Sequence, residues 1–172
     1  MEFQMHTTYD RPAMTAMARA VRKTVNRKRT RFIHIWMYAV FLLGILCAIP
    51  LDGTLTSSNI ICALVAFFML AARILEDFLD GWIAYRYILP GTEQVEATFT
   101  AEHYCTRSQI STTKWSYETV AAIVESPRYF VFILSQKYAQ IYDKTTLTGG
   151  SCEQFRALLE TAAGKSILFI KR

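Results

Sequence analysis

"TVNRKRTRFIHIWMYAVFLLGILCAIPL", residues 24–51, sets four cations, Arg27, Lys28, Arg29 and Arg31, directly against a long apolar run, with Arg22 and Lys23 just upstream. From Phe32 to Leu51 no side chain carries a formal charge at neutral pH unless His34 is protonated. At a rise of about 1.5 Å per residue such a run reaches about 30 Å, the thickness of a hydrocarbon core, and it reads as a membrane span. Pro50 and "DGTLTSSN" (52–59) then predict a turn, in a segment with one Asp and no Lys or Arg.

A second span is expected over about 59–79, within "IICALVAFFMLAARILEDFLDGW". Only Ile60 to Ala72 is free of charge, so Arg73 must snorkel, with Glu76 and Asp77 as its partners three and four residues on. Aromatics at 78, 82 and 85 carry the helical period beyond the span toward Pro90, giving a hairpin over 32–90. Cations gather on the cytoplasmic side of membrane proteins, so the basic flank places both termini in the cytoplasm and the turn outside. The same cations suit anionic lipid heads at about 1 kcal/mol each. Arg22, Lys23, Arg27, Lys28, Arg29 and Arg31 are therefore the candidate lipid-head and orientation residues. A cleaved signal peptide fits poorly, since the apolar core is too long and no small-x-small site follows it.

Of 172 residues, 52% are hydrophobic and 19% charged, below the average of about 25% for soluble domains. The net charge of +5 is concentrated: residues 1–31 sum to +6 and the remainder to −1. So localised a charge does not describe a nucleic-acid surface. Cys47, Cys62, Cys105 and Cys152 show no metal-pair spacing and read as ordinary filler in a reducing compartment.

Residues 1–10 alternate Phe3, Met5 and Thr7 against Glu2, Gln4 and His6, the period of a strand, expected to join the β domain. Asp10 is an N-cap candidate and Pro12 a first-turn residue for a basic amphipathic helix over 11–31. Its apolar face, Met14, Met17, Ala18, Val21 and Val25, would lie on the membrane surface or lead into the first span. After Pro90 the period changes. "EQVEATFTAEHYC" reads as one half-buried strand with Val95, Ala97, Phe99, Ala101 and His103 on one side. "SQISTTKW", "TVAAIVES", "RYFVFILS" and "KYAQIYDK" follow as β runs, then a helix over 151–164 opened by a Ser151–Gln154 capping box. The tail "SILFIKR" adds a short strand or an anchor.

This layout resembles the YcxB-like family of bacterial membrane proteins. The likeness is carried by "TTKWSYETVAAIVESPRYFVFILSQKYAQIYDKTTL" (112–147), with Trp115 leading a strand, Glu125 closing it at a turn, and Phe130 in the aromatic pair Tyr129–Phe130. The resemblance implies a membrane α+β protein of the bacterial inner membrane: a two-helix hairpin with a cytoplasmic, antiparallel, pleckstrin-homology-like β domain over 91–172, capped by one carboxy-terminal helix. Lys144 stands alone where family members carry a proline and a basic pair. No biochemical activity comes with the family.

No catalytic residue is assigned, because nucleophile–base pairs, phosphate-binding glycine loops and paired carboxylates at strand ends are all missing from the sequence. No cofactor or metal is expected. Arg73, Glu76, Asp77 and Asp80 form an interfacial charge cluster, expected to pair internally or with the basic helix. Phe130 and Phe132 read as core, leaving Tyr129 to point outward with Val131. Tyr129 and Lys144 are thus the candidate contacts for a membrane-bound protein partner. The expected function is non-enzymatic binding at the bilayer. An immunity protein against a membrane-acting toxin is the alternative, resting on the compact hairpin and its uncharged outer turn.

Overall fold

The computed structural model describes residues 2–50, 53–136 and 138–170. The first span's last residue, Leu51, its neighbour Asp52, Lys137 of the last predicted run, and Lys171 and Arg172 of the tail lie outside the described residues. The chain is α+β: two long apolar helices, two four-stranded sheets and a carboxy-terminal helix.

Strand β1 (Phe3–Thr8) alternates buried and exposed along its whole length and pairs antiparallel with β2 (Gln94–Phe99). Helix α1 (Arg11–Thr24) starts where the Asp10 carboxylate accepts a hydrogen bond from Ala13 N at 2.8 Å, with Pro12 in its first turn. It stops earlier than the sequence suggests. Thr24–Val25 is β-branched, and Asn26 occupies the N-cap position of a new helix, α2 (Arg27–Ala48). Arg27 to Arg31 therefore open the apolar helix and do not close the basic one.

Helix α3 (Ser57–Arg86) begins with Thr56 and Asn59 in a capping box, and Asn59 Nδ2 also donates to Cys47 O at 3.0 Å, tying the two ends of the hairpin together. Its 30 residues extend about 45 Å. α2 lies along its first part, where a Cβ on Gly44 would come 3.2 Å from Ala66 Cβ and 3.3 Å from Cys62 O. Small residues let the two backbones approach at that crossing. Both helices are long and apolar enough to cross a membrane, and their large side chains are uncovered, Ile35 and Phe68 at 67% exposure each.

The first sheet runs β1-β2-β3-β4, with β3 at His103–Arg107 and β4 at Thr112–Ser116. The predicted single strand over 93–105 is two strands. Thr100 Oγ1 donates to His103 O at 2.7 Å and accepts from His103 N, turning the chain without glycine or proline. The turn shifts the alternation, so Tyr104, not His103, is buried. Trp115 is the fourth residue of β4 rather than the leader of a strand.

The second sheet runs β7-β6-β5-β8: β5 Ala122–Glu125, β6 Tyr129–Ile133, β7 Ala139–Asp143 and β8 Leu168–Phe169. β8 pairs parallel with β5, so the β region is antiparallel except at this edge. Helix α4 (Cys152–Ala163) starts at the Ser151–Gln154 capping box and ends at Gly164, whose φ of 60° is left-handed. Between the sheets, Phe99 touches the rings of Tyr104, Phe132, Tyr142 and Phe155 at centroid distances of 4.9–5.7 Å. Phe155 and Leu159 of α4 close this core.

Candidate functional site: the junction of helices and sheet

A second core lies on the opposite face of β6. Ala13 and Ala20 of α1 pack with Val124, Tyr129, Val131, Ile133 and Ile141, and every residue of β6 is buried. Tyr129 therefore does not project: at 5% exposure it faces α1, and Val131 beside it is fully covered. The outward reading assumed a sheet with one wet face, whereas the apolar side of α1 covers the second. The basic helix accordingly lies on the β domain, not with its apolar face on a membrane surface.

Lys144 is also withdrawn. Its ammonium meets the Glu125 carboxylate and donates to Ser126 O at 2.9 Å, and Arg156 Nε and Nη2 hold both Glu125 oxygens at 2.8 and 2.9 Å. Glu125 is 3% exposed. Burial pushes its carboxyl up, but the hydrogen bonds from Arg156 and Lys144 outweigh that and hold it below the usual range. Asp143 follows the same pattern: burial pushes it up, and hydrogen bonds from Arg128 and Thr145 bring it down. These pairs fasten β5, β7 and α4 together. Phe130 lies fully in the core, and Trp115, half-buried, donates from Nε1 to Thr106 at 2.9 Å.

On its other side α1 packs antiparallel along α3. Arg11 lies over the Tyr85 ring, Thr15 meets Gly81, Arg19 Nε donates to Asp77 Oδ2 at 2.8 Å, and Arg22 pairs with both Glu76 and Asp77. These partners recede along α3 by about one turn as α1 advances by one turn. Glu76 collects two further groups, His34 Nε2 at 2.9 Å and Arg73 Nη1 at 3.2 Å. The acidic pair is thus occupied by arginines and a histidine, while Asp80 stays exposed. Arg19 and Arg156 did not emerge from the sequence reading. The spacing of Arg19 and Arg22, one helical turn apart and opposite in sign to Glu76–Asp77, is the signal that could have found the first.

Beyond these pairs lies the joint between α1 and α2. Lys23, Arg27, Lys28, Arg29 and Arg31 are exposed there, and the first turn of α2 holds no acid. Among the described residues, no carboxylate lies within 4 Å of Arg27, Lys28, Arg29 or Arg31. Arg22, Lys23, Arg27, Thr30, Arg31 and His34 line a cavity of about 320 Å³ at this joint.

Comparison with family models, with curated proteins and with solved structures finds no match for this chain.

Proposed function

We propose that the chain is a two-span protein of a bacterial inner membrane, with both termini cytoplasmic, that holds a pleckstrin-homology-like β domain against the bilayer surface and presents it for binding, without chemistry of its own. The observation that carries this reading is the double packing of α1: one face on β5–β7, the other on the end of α3. A flexible tether would only raise the domain's local concentration; a helix wedged into both bodies also fixes its orientation.

The uncovered apolar side chains of α2 and α3 support insertion, because an exposed apolar surface of this extent is unfavourable in water. Cations at the start of α2 and none in the described turn residues 53–56 support the orientation. The YcxB-like layout supports both. With Tyr129 buried and Lys144 engaged by Glu125, a surface left for a membrane-bound protein partner is the outer face of the first sheet, where His6, Glu96 and Arg107 stand in register across three strands. Anionic lipid is the second partner, at the joint. Alkaline carbonate extraction of vesicles tests insertion: the chain is expected in the pellet, and its release into the supernatant refutes the proposal.

A further inference from the structure

The cavity at the α1–α2 joint differs from a merely basic surface in how its cations are placed. Lys23, Arg27 and Arg31 are spaced four residues apart across the joint, and all three line the cavity, with Thr30 among them. Lys28 and Arg29, equally charged and also exposed, do not line it. Its rear wall is already neutralised: Arg22 is held by Glu76 and Asp77, and His34 by Glu76. Glu76 and Asp77 of α3 are not among the lining residues and are spent on Arg22 and His34. Arg27 and Arg31 in front keep their guanidinium donors without a carboxylate partner among the described residues.

We infer that this cavity is a discrete binding site for a phosphate ester, the headgroup phosphate of an anionic phospholipid. Two guanidinium forks one helical turn apart suit the tetrahedral array of phosphate oxygens, and a hydroxyl beside them adds one more donor. The volume of about 320 Å³ lies at the lower end of the range for small-ligand sites, about 300–1,000 Å³. Arg31 directly precedes Phe32, the first residue of the apolar run. If α2 enters the bilayer there, as proposed above and as this inference assumes, the cavity stands at the depth of the lipid phosphates. The glycerol and acyl chains would then continue along the exposed apolar side of α2.

The test compares two double variants of the full chain that remove the same charge, Arg27→Gln/Arg31→Gln inside the cavity and Lys28→Gln/Arg29→Gln outside it. Each is reconstituted into nanodiscs of phosphatidylcholine doped with phosphatidylglycerol, and lipid retained on ejection is counted by native mass spectrometry. The wild type and the Lys28/Arg29 variant are expected to retain one phosphatidylglycerol per chain, and the Arg27/Arg31 variant to lose it several-fold. Equal loss in both variants means a diffuse field and overturns the site, as does equal retention of phosphatidylcholine or no change in either variant. Displacement of the retained lipid by excess inorganic phosphate is expected and shows that the site holds the lipid through its phosphate. A chain that alkaline carbonate washes from vesicles refutes the membrane reading instead, and the same two variants titrated with glycerol phosphate then test the cavity alone.

Discussion

Thr15 fills the space where a side chain on Gly81 would stand: a Cβ there would come 2.6 Å from Thr15 Cα and 2.8 Å from its backbone nitrogen. Both atoms belong to backbone, so no rotamer change relieves the clash. α1 and α3 touch main chain to main chain, and the contact joins the apolar hairpin to the β domain.

Gly81→Ala measures that contact. Alanine in a helix gains about 1 kcal/mol over glycine, whereas overpacking a tight contact costs about 1–3 kcal/mol. We expect the loss to win, with lower thermal stability in mild detergent and earlier proteolysis between α1 and α2. A variant more stable than wild type would show that α1 does not press on α3 at this point.

Tyr129 distinguishes a sheet covered on both faces from one covered on a single face. Tyr129→Ala removes a ring buried against α1 and is expected to cost about 3 kcal/mol or more. Tyr138→Ala, at a residue 73% exposed, is the control and should stay within about 0.5 kcal/mol. Chemical denaturation of both variants decides it, and equal small effects would return Tyr129 to the surface.

Glu125 carries a pH signature. Its folded-state pKa is depressed, so its contribution to stability is complete above the unfolded value of about 4.3 and is lost as pH falls through the folded value. Melting temperature should therefore drop on acidification below about pH 4. Glu125→Gln leaves Lys144 and Arg156 without their carboxylate. With Arg156 33% exposed, the cost should fall near or below the lower end of the roughly 3–5 kcal/mol for breaking a buried pair. The variant should be destabilised at neutral pH and show a shallower acid limb, with Asp143 supplying the remainder. An unchanged acid limb would remove Glu125 from the account.

Those features that repeat along the chain were legible in the sequence: the two apolar runs, the strand alternation, and the Asp10 and Ser151 caps. What depends on two segments meeting was not. An amphipathic helix such as α1 has the same pattern whether its apolar side meets lipid or a sheet, so the burial of Tyr129 could not be read from either segment alone. The β2–β3 turn escaped because the Thr100 hydroxyl makes it, where glycine or proline would have announced it. β8 pairs parallel with a strand more than forty residues earlier, a partner that its short apolar pattern does not name. Of the charged site, Glu76–Asp77 was visible as a cluster, but the choice of Arg19 and Arg22 as partners required the antiparallel packing of α1 on α3.

Topology tests the central claim most directly. Reporters active on only one side of the membrane, inserted after Thr54 and fused to the carboxy terminus of the full chain, should give an outside signal at Thr54 and a cytoplasmic signal at the end. Two signals on the same side, or a carboxy terminus outside, would contradict a hairpin that holds its β domain in the cytoplasm.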